Sequence, residues 1–191
     1  RNVTRGICQT CERNSPIFDQ GWGALIYTEA SQKLIHLYKY SGKTALRHYF
    51  QTRMIDFIDT FQVDLKGFDA MAPVPLHPLR LRYRGYNQSL LLAEGLSRSL
   101  SISLVPDLLQ RCRYTATQSK LSQKERWTNL SGAFRIKPFH DVKNKNILLV
   151  DDLYTTGATG AEASRVLKAA GAVRVCILSA AIARYEKEHL Q

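Results

Sequence analysis

The sequence predicts an α/β fold with a largely parallel sheet, and three observations predict it. Residues 146–180 read as strand, turn, helix, strand; the two strands, ILLV and VRVCILSAA, are almost continuously apolar; and Gly171 stands where the helix must stop. Parallel strands covered on both faces carry that unbroken apolar pattern, because helices shield them from water on either side. The chain has 191 residues, 45% of them hydrophobic and 23% charged, which suits one main core with a small appendage.

From the N-terminus, GWGALIYT at 21–28 predicts a short strand. A helix follows over 29–40, with Leu34, Leu37 and Tyr38 at helical spacing, and Ser41 and Gly42 end it. A second helix is expected over 44–61, its apolar stripe made by Leu46, Phe50, Met54, Phe57, Ile58 and Phe61. FDAMAPVPLHP at 68–78 reads as a strand stopped by Pro73, Pro75 and Pro78, and a basic loop leads from it to a helix over 87–100. SISLVPDLLQRC suggests one or two further short strands, and the polar, basic stretch 115–130 is expected to be a mobile loop. The strand 146–150, a turn over 151–157, a helix over 158–170 and the strand 173–180 complete the chain.

No apolar run reaches the roughly 18 residues that span a bilayer, and the first six residues have no signal-like stretch, so a soluble, cytoplasmic protein with no membrane partner is expected. Because it starts at Arg1 and not at Met, the chain is expected to be a processed or truncated product. Lysine and arginine outnumber aspartate and glutamate by 27 to 16, a formal net charge of +11, which favours anionic partners. The excess is concentrated between His77 and Arg126, in Arg80, Arg82, Arg84, Arg98, Arg111, Arg113, Lys120, Lys124 and Arg126. Charge alone does not separate nucleic acid from a phosphorylated small molecule. The four cysteines form no disulfide framework; Cys112 and Cys176 lie among apolar neighbours and are expected to be small buried residues without chemistry.

The chemistry is concentrated in Asp151 to Thr159, outside the carboxyl end of a parallel strand, where ligands bind in such sheets and the next helix offers unpaired N–H groups. Thr155, Thr156, Gly157, Ala158 and Thr159 are small, and the glycine lets the backbone curl around a phosphate while the threonine hydroxyls donate to it. Asp151 and Asp152, directly before them, would repel a phosphate unless they served hydroxyl pairs or a metal ion. A ribose 5-phosphate supplies both partners. The competing reading is a plain strand-to-helix turn, but two adjacent acids followed by ThrThrGly are uncommon in one. A nucleotide triphosphatase with YSGKT at 40–44 as its phosphate loop fails, because Leu37 stands where that motif needs glycine. Lys43 then reads as a solvated residue at a helix start, with contact to a ligand as the other reading.

ILLVDDLYTTGAT, with Tyr154 in place of the commoner aliphatic residue, resembles the phosphoribosyl pyrophosphate (PRPP) signature of type I phosphoribosyltransferases. YKYSGK at 38–43, VPLHPLRLRYRGYNQS at 74–89 and TATQSKLSQKERWTNLSGAF at 115–134 resemble the ComF (competence protein F-like) family within that superfamily. The resemblance implies a mainly parallel, five-stranded core over about 67–191 with a small N-terminal hood over about 21–66. In this reading Asp151 and Asp152 are the catalytic acids that hold the ribose hydroxyls of PRPP, and Thr155 to Thr159 take its 5-phosphate. Leu76, His77, Arg80, Arg82 and Arg84 would then meet its pyrophosphate, although solvent exposure competes for any single arginine. Gln118, Lys120 and Arg126 fall in the implied loop that closes over ligand. Mg²⁺ would arrive with PRPP and have no protein ligand in its first shell. Residues 1–20 resemble the remnant of a zinc ribbon; a closed zinc site needs four ligands, and Cys8 and Cys11 supply two, so zinc is not expected in this fragment.

The implied reaction is displacement of pyrophosphate from C1 of PRPP by a nitrogen nucleophile, with positioning and charge stabilisation as the protein's contribution. Consistent with that, the five histidines are scattered and no nucleophile triad is visible. The alternative is a non-catalytic accessory protein that senses PRPP or handles single-stranded DNA, using the basic stretch with Tyr83, Tyr86, Tyr114 and Trp127 as stacking platforms. A homodimer is a fair expectation for the fold, and the acceptor is not legible.

Overall fold

The computed structural model describes residues 17–114 and 130–183. Its main sheet is parallel throughout, with four hydrogen-bonded strands in the order β1 (Gln20–Ile26), β6 (Arg174–Ile182), β5 (Asn146–Tyr154) and β2 (Ala70–Pro73). A fifth position beyond β2 is a single parallel bridge between Met71 and Leu104, closed by Met71 N–H on Ser103 O at 2.7 Å and Val105 N–H on Met71 O at 2.8 Å. Pro106 follows at once and offers no N–H to extend the ladder. β1, although it precedes residue 67, is the other edge of this sheet.

Helices α1 (Glu29–Tyr40), α2 (Leu46–Thr60) and α4 (Gln88–Leu100) cover one face. Helix α5 (Ala158–Ala169) covers the other, together with an antiparallel pair, β3 (Leu109–Arg111) and β4 (Phe134–Ile136). β5 supplies both cores: Ile147 and Leu149 face the α5 side, Leu148 and Val150 the α1–α2–α4 side. That two-sided burial is why its sequence is an apolar run and not an alternation. Among the described residues no helix is long and apolar enough to cross a membrane.

The chain departs from the sequence expectations at definite places. In α1 the buried line is Ser31, Ile35 and Tyr38, so Leu37 faces outward. In α2 the line is Phe50, Met54 and Ile58, four residues apart, and Phe61 lies outside it, packed on Phe57 at 4.8 Å. The expected basic loop contains a helix, α3 (Pro78–Arg84), started by His77 and Pro78 and ended by Gly85 in the left-handed region at φ 83°. β5 continues to Tyr154, so Asp151 and Asp152 stand on the strand and not in the turn. Cys176 is buried, but Cys112 is exposed: at the end of β3 the side chains alternate, and Arg111 takes the inward position.

One close approach tests the sheet. A Cβ on Gly23 of β1 would sit 2.4 Å from Ile182 Cβ and 3.0 Å from its backbone nitrogen, so β1 can lie along β6 only with glycine there. Gly23→Ala is expected to lower the urea midpoint, with an unchanged denaturant slope, by a stability loss of about 1–3 kcal/mol.

Candidate functional site

The helices that follow β2 and β5 leave toward opposite faces, α4 to one and α5 to the other, which opens a crevice outside the carboxyl ends of the two strands. It holds a cavity of about 680 Å³, within the range of small-molecule sites. Asp151, Asp152, Thr155 and Thr159 line one side; Leu76, Arg80, Arg84 and Arg111 line another; Gln32, His36, Lys39 and Tyr40 of α1 roof it.

Local sequence accounts for each placement. Asn87 caps α4 by accepting from Ser89 N–H at 3.0 Å and donates its amide to Val74 O at 3.1 Å, which ties the start of α4 to the end of β2. Ser89 Oγ is thereby set 3.1 Å from Asp151 Oδ1. Thr28 and Ser31 form a reciprocal capping box at the start of α1, and Ser31 Oγ donates to Ile26 O at 2.8 Å, which fixes the helix to the end of β1. In the last turn of α1, Lys39 reaches in and sets its Nζ 3.0 Å from Asp152 Oδ2. Neighbouring residues of a strand normally face opposite ways, yet here both carboxylates are held by helices of one layer.

Gly157, at φ 77°, turns the chain from β5 into α5. It has a second constraint: a Cβ there would lie 2.5 Å from the Tyr154 hydroxyl and 2.9 Å from Cζ, so the tyrosine packs directly on the glycine. Thr156 is buried, its Oγ1 accepting from Ala158 N–H at 3.4 Å. The first N–H groups of a helix have no partner within it, and α5 begins at the edge of the cavity.

The electrostatics follow from enclosure. Desolvation, then the adjacent charge of Asp152, push the Asp151 carboxyl well above the usual carboxylate range, against the opposing influence of Lys39, the Asp152 N–H and Ser89. Burial works against the Lys39 ammonium, but Asp152 and Asp151 outweigh it and its pKa is raised. Burial, then the Arg80 charge, bring the Arg111 guanidinium down to about 10, with Asp151 opposing.

Of the residues singled out in the sequence, Asp151, Asp152, Thr155, Thr159, Leu76, Arg80 and Arg84 meet at the cavity. Thr156, Gly157 and Ala158 are buried and are not among the lining residues. His77 is the cap of α3, its Nδ1 accepting from Leu79 N–H at 3.3 Å, and Arg82 is exposed on that helix's outer side. Lys43 is not among the lining residues, and Lys39, four positions earlier, is. Gln118, Lys120, Arg126, Cys8 and Cys11 lie outside the described residues. Lys39, Ser89 and Arg111 were not singled out for a role, although Lys39 lies in YKYSGK, Ser89 ends the segment 74–89 and Arg111 belongs to the basic excess.

The sequence matches the family described as "Phosphoribosyl transferase domain" over residues 87–189. It is 33% identical to Competence protein F of Haemophilus influenzae, over 86% of this chain and 73% of that protein. It is equally 33% identical to the DNA utilization protein YhgH of Escherichia coli, over 88% of this chain and 74% of that one. Among solved structures, adenine phosphoribosyltransferase from Thermoanaerobacter pseudethanolicus superposes on 74% of this chain and 82% of its own, with a TM-score of 0.45 and 13% identity.

Two outcomes follow from this geometry. Asp151 binds its proton more tightly folded than unfolded, so between the usual carboxylate pKa and the raised one the native state holds more protons, and stability falls as pH rises through that window. Asp151→Asn, which keeps the shape, should therefore resist urea better than wild type at about pH 7, with the gain vanishing toward about pH 4. Gly157→Ala should cost about 1–2 kcal/mol from backbone handedness plus a steric part; Tyr154→Leu in the same chain should recover the steric part alone, read as a coupling energy in a double-mutant unfolding cycle.

Proposed function

Because this chain belongs to the competence protein F family of phosphoribosyltransferase-like proteins, we propose that its cleft binds PRPP. The observation that carries the reading is the meeting, around one cavity, of two adjacent carboxylates, a helix start with two threonines, and Arg80, Arg84 and Arg111. A ligand with a hydroxyl pair between two anionic ends matches that arrangement. Asp151 and Asp152 accept from the ribose hydroxyls. Thr155, Thr159 and the first N–H groups of α5 take the 5-phosphate, while the arginines neutralise the diphosphate.

The donor set also bears on magnesium. The cleft offers two carboxylates, each already engaged, Asp151 with Ser89 and the Asp152 N–H and Asp152 with Lys39. Mg²⁺ demands about six oxygen ligands, so these residues fit an ion held by the diphosphate and ribose oxygens of the ligand. Such an ion would supply charge neutralisation for the departing pyrophosphate. With an acceptor nitrogen beside C1, the acids hold the ribose as positive charge develops on it, and the arginines receive the leaving charge without reorganising.

A second reading rests on the outer side of α3. Tyr83 is 93% exposed between Arg82 and Arg84, and Tyr114 stands beside His77 and Arg80. Aromatic platforms among cations suit single-stranded DNA, in keeping with the name of the Escherichia coli relative.

Calorimetric titration of PRPP with magnesium should give saturable heat with wild type and none with Asp151→Asn/Asp152→Asn. Equal heats, or none from wild type, would sink the first reading. Binding of an oligonucleotide should instead weaken steeply with salt, ignore the aspartates and fall on Tyr83→Ala; an oligonucleotide that binds no less well to Tyr83→Ala removes the second.

A further inference from the structure

Two carboxylates on successive residues of one strand end, in a partly closed cavity, repel each other, and one of them takes up a proton unless a cation intervenes. The fold supplies such a cation from a helix more than 100 positions earlier in the sequence, since Lys39 Nζ lies 3.0 Å from Asp152 Oδ2 with its side chain 18% exposed. Several features hold it there. It occupies the last turn of α1, where the helix dipole favours positive charge. Its neighbour Tyr38 is fully buried, donates its hydroxyl to Gln88 O at 2.9 Å, and accepts on its own carbonyl from the Tyr86 hydroxyl. Gln88 is followed by Ser89, which contacts Asp151. Lys39, Asp152, Asp151, Ser89, Gln88 and Tyr38 thus form a closed ring of contacts across α1, β5 and α4.

We propose that Lys39 is a positioning residue for ligand binding: its ammonium, delivered by α1 to 3.0 Å from Asp152 Oδ2, offsets the negative charge of the acid pair and so keeps the pair open to ligand hydroxyls. The role in binding rests on the reading of the cleft as a PRPP site. The other titratable groups around the pair are consistent with it. Tyr38 and Tyr86 face Asp152 as hydroxyls whose pKa values burial raises, so they stay neutral. Arg111 adds positive potential at Asp151 from β3, while Arg80 and Arg84 of α3 and His36 of α1 line the same cavity, where the arginines meet the diphosphate. A positioning lysine differs from one that merely grips the ligand, because its loss is repaired by raising the pH.

The test uses the full chain as wild type, Lys39→Met and Lys39→Arg, with PRPP and magnesium titrated calorimetrically from about pH 6 to about pH 9, and the Asp151 carboxyl followed without ligand by ¹³C NMR, its signal assigned with Asp151→Asn. Lys39→Met should bind at least about tenfold more weakly than wild type at pH 7 and recover most of the loss at pH 9, with the Asp151 midpoint raised by about one unit or more. Lys39→Arg should restore both. In an Asp152→Asn background, Lys39→Met should move the Asp151 midpoint less than it does in wild type, because only the direct attraction between Lys39 and Asp151 is then lost. An affinity that falls by the same factor at every pH, or an Asp151 midpoint that does not move, overturns the positioning role. A moved midpoint in a protein whose wild type gives no heat with PRPP upholds the electrostatic role of Lys39 and overturns the ligand assignment.

Discussion

The structure turns on one electrostatic constraint: two carboxyl groups stand on adjacent residues at the end of a buried strand. Two unit charges about 4 Å apart interact by about 4 kcal/mol at an effective dielectric near 20, a large share of the stability of a domain this size. On β5 itself, the Asp152 N–H on Asp151 Oδ1 at 2.9 Å offsets part of that repulsion. The fold answers it from outside the strand, with a hydroxyl from α4 on Asp151 and an ammonium from α1 on Asp152. Much of the surrounding architecture serves to aim those two atoms, from the Asn87 bond to Val74 at one end to the Thr28–Ser31 box at the other. Residual destabilisation of Asp151 remains, as expected where function and stability make opposite demands on one group.

What the sequence made legible follows from the range of the interactions involved. β5, α5 and β6 could be read because their signals are local: two-sided burial gives apolar runs, and a ligand-cradling turn needs small residues next to one another. The same reasoning found Asp151, Asp152 and the threonines. It stopped at Lys39 and Ser89, whose meaning depends on pairings 113 and 62 positions away. A lysine at the end of an amphipathic helix looks like any solvated lysine until the fold brings a buried carboxylate to it. Cys112 and Arg111 show the same effect in reverse, since apolar neighbours suggested a buried cysteine and the pleat buried the arginine beside it.

The basic segment shows how secondary structure sorts charges that composition leaves equivalent. As a loop, Arg80, Arg82 and Arg84 would have equal claims on an anion. As a helix they do not, because residues four apart share a face and the one between them points away. Arg80 and Arg84 line the cavity, and Arg84 is further held by Gln88 Oε1 at 2.5 Å and by the Tyr40 ring at 5.0 Å. The signals for that helix, a proline after His77 and a glycine at 85, were present in the sequence. Read as turn formers beside Pro73 and Pro75, they were equally consistent with a loop.

The division of labour between the layers has a consequence for control of the site. The acids stand on a central strand, and the turn after them leads into α5, which packs on the sheet. The counter-charge of the acids, however, comes from Lys39 of α1. That helix also lines the cavity with Gln32, His36 and Tyr40, and is anchored by Ser31 on Ile26 O at its start and by the bonds of Tyr38 to the 86–88 segment near its end. A shift of α1 by the length of a hydrogen bond would leave every residue of β5 in place and still remove the counter-charge of Asp152. A buried ion pair is worth little for stability, since desolvation offsets most of its attraction, and this one is better understood as a device of arrangement. Under the proposed role of Lys39, binding in the cleft depends on the docking of α1, although the motif that announces the cleft lies in the last third of the chain.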